Sequence, residues 1–87
     1  MHEAQVMVKN VPGIHARPAA LLVQKASGFA AEIFLTNGQL TVNAKSIMGV
    51  MMLAAETGTK LTVRAEGPDE QGAVAALVEL IESEFKE

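Results

Sequence analysis

Turn signals cut this chain into seven short pieces, which excludes any architecture built from long helices or long strands. The punctuation is Asn10-Val11-Pro12-Gly13, Gly28, Asn37-Gly38, the helix-starting Ser46, Thr57-Gly58-Thr59 and Gly67-Pro68-Asp69. Residues 3–9 alternate, with Ala4, Val6 and Val8 on one face, and predict a strand. Residues 16–27 carry Ala19, Leu22, Val23 and Ala26 at helical spacing, with Gly28 just past the end. Residues 32–36 and 40–44 flank Asn37-Gly38, a strong hairpin signal. Residues 47–53 predict a short helix started by Ser46. Residues 60–66 alternate again, with Leu61, Val63 and Ala65 inward. A last helix follows Asp69, with Val74, Leu77, Val78, Ile81 and Phe85 on one stripe. The order is βαββαβα, an α+β chain. Each strand has one apolar face, so a single sheet with helices covering that face is the economical solution.

Composition then bounds the function. Eighty-seven residues form one domain, residues 1–87, with a single aliphatic core. There are three phenylalanines and no tyrosine or tryptophan, which leaves little for a cofactor cavity or a base-stacking surface. A net charge of −3 argues against a nucleic-acid partner. The charge is uneven: Lys9, Arg17, Lys25 and Lys45 outnumber Glu3 and Glu32 in the first half, so an acidic partner would meet that half. Without cysteine there is no disulfide scaffold and no thiolate metal site, and two histidines as far apart as His2 and His15 make none either. His2 is read as a disordered terminal residue. No apolar run reaches the length of a membrane span, and no signal-peptide pattern opens the chain. The expectation is a cytoplasmic protein with no metal, no cofactor and no membrane contact.

The chemistry concentrates in Gly13-Ile14-His15-Ala16-Arg17-Pro18-Ala19-Ala20. His15 lies where the loop becomes a helix, and Pro18 fixes φ in the first turn, where its missing N–H costs little. The Ala16 and Arg17 amides have no intrahelical acceptor and point toward whatever sits beside the His15 ring. The helix dipole adds about half a positive charge there, and Arg17 can swing its guanidinium to the same place. A phosphoryl group on a ring nitrogen suits such a site. No acid lies within the loop to repel it. The blander alternative is that His15 merely caps the helix.

This stretch resembles the active-site signature of the HPr family, the histidine-containing phosphocarriers of the bacterial sugar phosphotransferase system. A second segment, Asn43-Ala44-Lys45-Ser46-Ile47-Met48-Gly49-Val50-Met51, is similar to that family's regulatory-serine segment. Length and element order agree from end to end. Pro12, directly before Gly13, departs from the family pattern and stiffens the loop.

The resemblance implies an open-faced β-sandwich, an antiparallel sheet in order 1-4-2-3 with three helices on one side. It implies that His15 accepts a phosphoryl group on Nδ1 from Enzyme I, charged by phosphoenolpyruvate. His15 would then pass it to a sugar-specific IIA component, with Arg17 stabilising it. The chain would act as a stoichiometric carrier rather than an enzyme. It further implies phosphorylation of Ser46 by an HPr kinase in some bacteria, and a transcriptional regulator as a further partner.

Ser46 also has a purely structural reading as an N-cap, which satisfies a free amide. Ile47, Met48, Val50, Met51, Met52 and Leu53 cannot all be buried by so short a helix, so Ile47, Met48 and Met51 are expected to remain on the surface. The resemblance adds Ala20, Val23 and Gln24 of the His15 helix to a shared docking face. Two other readings stay open: a regulatory or nitrogen-type paralogue that acts by docking, and an unrelated α+β interaction domain. Retention of His15 argues against a paralogue that has lost it. Nothing in the sequence demands a dimer, and a monomer is expected.

Overall fold

The computed structural model describes residues 1–86. Seven elements follow in the predicted order: β1 (His2–Met7), α1 (Ala16–Ser27), β2 (Glu32–Asn37), β3 (Leu40–Asn43), α2 (Ile47–Met52), β4 (Lys60–Glu66) and α3 (Glu70–Glu82). The sheet is antiparallel throughout, in order β1-β4-β2-β3. Val6, Ile33, Leu35, Val42, Leu61, Val63 and Ala65 are buried beneath the three helices, while their strand neighbours face outward. Each fully buried Leu or Ile contributes about 2 kcal/mol of transfer free energy. Leu22 of α1 and Leu77 and Ile81 of α3 close the core from above. On the open face Arg64 lies over the Phe34 ring at 5.4 Å, which shields the largest apolar group there.

Several boundaries differ from the sequence reading, each for a tertiary reason. The β1 strand starts at His2, which pairs with Ala65, so His2 is part of the sheet. It ends at Met7, because β4 begins at Lys60 and Val8 instead bonds across to the 57–59 turn: its amide donates to the Thr59 carbonyl and its own carbonyl accepts from Gly58. The hairpin loop is Gly38-Gln39, one residue later than expected, since Asn37 still pairs with Leu40. The Asn37 Nδ2 donates to the Leu53 carbonyl at 2.9 Å, so the side chain is recruited to the end of α2. Gly38, at φ 64°, takes the first loop position. Gly28 ends α1 at φ −76° and uses none of glycine's left-handed freedom.

The last helix stops at Glu82, before Phe85. The Glu84 amide donates to the Ile81 carbonyl and the Phe85 amide to the Leu80 carbonyl at 2.9 Å, the pairing of a Schellman turn. Leu80, absent from the expected stripe, is buried there, and Phe85 folds back to 8% exposure. Glu84 sits at φ 61° where glycine is usual. Glu84→Gly is therefore expected to stabilise the protein by about 0.5–1 kcal/mol, read as a raised urea midpoint at unchanged m.

The start of α3 is docked on the α1–β2 connection. Gly67 has φ 151°, and a Cβ there would sit 2.7 Å from the Ala31 Cα. The Asp69 carboxylate accepts from the Ala30 and Ala31 amides, both at 2.8 Å. The Ala30 amide first, and the Ala31 amide after it, hold the Asp69 carboxyl below its ordinary value. A carboxyl lowered in the folded state stabilises at neutral pH, and that contribution disappears as pH falls through the folded value. The melting midpoint should decline below about pH 4, and Asp69→Asn should flatten part of that decline.

Candidate functional site

The site is built on the entry to α1. His15 is extended, at φ −114° and ψ −158°, and its carbonyl accepts from the Ala19 amide at 2.8 Å, which makes it the N-cap. Its side chain makes no capping bond. The ring is exposed and makes no bond to the helix, so His15 holds the N-cap position through its backbone alone. Ala16, Arg17 and Pro18 are the first three helical residues. Proline lacks the third amide, which leaves the N–H groups of Ala16 and Arg17 without an intrahelical acceptor. Arg17 is exposed and lines the same open cleft as His15.

The loop before His15 is held from several sides. The Asn10 Nδ2 donates to the Gly13 carbonyl at 2.7 Å, and the Thr57 Oγ1 donates to the Asn10 carbonyl at 2.6 Å. The Ile14 amide donates to the Ala55 carbonyl at 2.8 Å, and Ile14 is buried. Gly13 sits at φ 114° with the 55–56 backbone pressed against it. These contacts fix the backbone on which the imidazole stands. Pro12 is exposed beside Val11, which is 83% exposed.

The cleft holds residues that local sequence could not supply. Besides His15, Arg17 and Pro18, it is lined by Asn10, Val11, Leu21, Glu84, Phe85 and Lys86. The Schellman turn after α3 delivers the last three. The loop itself carries no acid, but Glu84 arrives from another element with Lys86 close behind it in sequence. Only a helix end with two left-handed residues could have flagged this, and neither is glycine.

The second segment behaves as its residues suggested. The Ser46 Oγ accepts from the Gly49 amide at 3.0 Å and caps α2. A Cβ at Gly49 would sit 3.3 Å from that oxygen, so glycine keeps the space beside the hydroxyl open. The Lys45 Nζ donates to the Phe29 carbonyl at 2.7 Å and ties this segment to the end of α1. Ile47, Met48 and Met51 are exposed at 47%, 76% and 45%. Met52 joins them at 65%, so only Val50 and Leu53 of this run enter the core. On the neighbouring α1, Ala20 and Gln24 are exposed and Val23 is half-buried. Among the described residues no three of His, Cys, Asp and Glu gather into a metal-holding group. No described helix is long and apolar enough to cross a membrane.

An exposed imidazole on a clamped loop, sharing a cleft with Arg17 at a helix start whose first two amides lack intrahelical acceptors, can receive a phosphoryl group and offer its oxygens donors. The family model for the PTS HPr component phosphorylation site matches residues 2–83. The chain belongs to the HPr family. It is 51% identical to phosphocarrier protein HPr of Treponema pallidum over 82 residues, 94% of this chain and 93% of that one. It is 52% identical to the HPr-like protein Crh of Halalkalibacterium halodurans over 84 residues, 97% and 100% of the two chains. The crystal structure of HPr from Thermoanaerobacter tengcongensis superposes with a TM-score of 0.95 at 50% identity, covering 100% of this chain and 98% of that one. A crystal dimer of HPr from the same organism matches at 0.79, covering both chains completely. The sheet order and the three helices are those of the HPr fold, as the resemblance implied.

Proposed function

We propose that this HPr-family chain is a stoichiometric phosphoryl carrier in a sugar phosphotransferase relay. The observation that carries the reading is the exposed His15 ring, unbonded at the N-cap of α1 and sharing a cleft with Arg17. The neutral imidazole attacks the phosphorus of phospho-Enzyme I through Nδ1, and the bond from phosphorus to the donor histidine breaks. The phosphoryl oxygens then take the Ala16 and Arg17 amides and the Arg17 guanidinium. The reverse step delivers the group to a histidine of a sugar-specific IIA component. Catalytic turnover belongs to the partners, and this chain needs no cofactor. Arg17→Ala should slow transfer on the order of ten- to a hundredfold in stopped-flow quench, with uptake still directed to His15.

Ala20, Val23, Gln24, Ile47, Met48 and Met51 form the docking face for successive partners, and thioethers repack at little cost. Ser46 is the regulatory site. A phosphate there would meet the first amides of α2, so the fold tolerates it. An HPr kinase/phosphorylase and a transcriptional regulator are the partners this implies. The carrier works in the cytoplasm as a monomer, without direct contact to membrane or nucleic acid. Size exclusion at micromolar concentration checks the monomer against the dimeric arrangement known for HPr of Thermoanaerobacter tengcongensis.

The 52% identity to Crh favours a second reading, a regulatory paralogue that acts through docking and phospho-Ser46 with little sugar flux. Incubation with phosphoenolpyruvate and sugar-type Enzyme I separates the two, with the nitrogen-type counterpart in parallel. The carrier reading predicts rapid gain of one acid-labile, alkali-stable phosphoryl group from the sugar-type donor. No gain, or gain from the nitrogen-type donor alone, would overturn it.

A further inference from the structure

All five methionines lie on the surface. Met1, Met7, Met48, Met51 and Met52 are exposed at 68%, 45%, 76%, 45% and 65%. The core is built from Leu, Ile, Val, Ala and Phe85, with no sulfur in it. Three of the five stand at positions i, i+3 and i+4 of α2, so their thioethers share one exposed face. That helix, Ile47–Met52, carries no charged residue, so a partner reads it by apolar contact alone. The chain has no cysteine, and these thioethers are therefore its most oxidisable groups.

We propose that Met48, Met51 and Met52 are a peroxide-responsive modification site whose conversion to sulfoxides reversibly switches off docking through α2. The proposal rests on the docking role given to this helix above. A thioether lone pair attacks one oxygen of hydrogen peroxide and the O–O bond breaks. The hydroxyl proton passes to the departing oxygen, which leaves as water. Sulfur is oxidised by two electrons to the sulfoxide, and the peroxide is reduced. The flexible apolar tip becomes a strong dipole that must be stripped of water when a partner closes over it, and an apolar partner surface offers it no donor. In many proteins oxidised methionine opens the core. Here no core methionine exists, so the fold survives and a sulfoxide reductase can reach every modified residue.

The test treats the whole protein with dilute hydrogen peroxide, maps added oxygens by peptide mass spectrometry and follows phosphoryl uptake from phospho-Enzyme I. Within α2, oxidation should reach Met48 and Met52 before Met51, at an unchanged melting midpoint. Uptake at limiting concentration should fall about tenfold through a raised KM, with the saturated rate preserved. Methionine sulfoxide reductases should restore it. Met7 lies on the open face of the sheet, so Met7→Leu should keep the sensitivity. A Met48→Leu, Met51→Leu, Met52→Leu variant should take up phosphoryl at one rate before and after peroxide, whatever that rate is. Equal uptake by oxidised and reduced wild type would overturn the proposal alone, as would sensitivity that persists in the triple variant. No uptake by the untreated protein would strike down the carrier reading, and this proposal with it.

Discussion

His15→Ala is expected to abolish phosphoryl uptake from phospho-Enzyme I, a loss on the order of 10³-fold or more, because no other side chain can replace the nucleophile at that position. The same variant should unfold within about 0.5 kcal/mol of wild type. The ring is exposed and makes no capping bond, so its removal leaves the α1 backbone and its first hydrogen bond in place. His2 makes a good internal control. It is exposed on β1, paired through its backbone with Ala65, and remote in sequence from the free amides of Ala16 and Arg17. His2→Ala should keep full uptake. Radiolabelling from phosphoenolpyruvate, combined with urea unfolding of each variant, separates lost chemistry from lost fold. Substantial labelling of His15→Ala would place the acceptor elsewhere.

Gly13→Ala is expected to be the most damaging single methyl group in the chain outside the core. At φ 114° an L side chain is strained, and the added Cβ would lie 2.5 Å from the Ala55 carbonyl oxygen and 2.8 Å from the Glu56 Cα. Both neighbours are backbone and cannot rotate away. The cost should be about 3 kcal/mol or more, from conformational strain and overpacking together. The loop can escape only by giving up the bond from the Ile14 amide to the Ala55 carbonyl or that from Asn10 to the Gly13 carbonyl, and either shift moves the backbone that carries His15. Uptake should therefore slow even where the variant is fully folded. Gly58→Ala supplies the comparison, since it has φ 92° but nothing within 4 Å of the added carbon. Backbone strain alone should cost it about 1–2 kcal/mol, with uptake unchanged. A Gly13→Ala variant no less stable than Gly58→Ala would show that the close approach is not what holds the loop.

The elements that were legible in the sequence are those with local causes. The 60–66 alternation became β4 residue for residue, because Leu61, Val63 and Ala65 must share one face whatever covers them. Ser46 declared the start of α2, since a hydroxyl three residues before a needy amide is sufficient cause. The placement of His15 and Arg17 together at the start of α1 was legible for the same reason: cap, arginine and proline lie within four residues. What the sequence hid depends on distant partners. Asn37 looked like a turn residue until the Leu53 carbonyl claimed its side chain. Phe85 looked like one more helical position, yet a left-handed Glu84 turns it back onto the core and carries Glu84 and Lys86 into the cleft. The surface of α2 was anticipated except at Met52, because no local pattern says how much of six apolar residues the core will accept.

The central claim is that a single ring nitrogen on the outside of a small core carries the phosphoryl group. Nitrogen-labelled protein, phosphorylated with phosphoenolpyruvate and Enzyme I, tests it directly by phosphorus–nitrogen correlated NMR. The account predicts one phosphorus signal, coupled to Nδ1 of His15. Coupling to Nε2, a signal on His2, or phosphorus on a hydroxyl with no nitrogen coupling would contradict it.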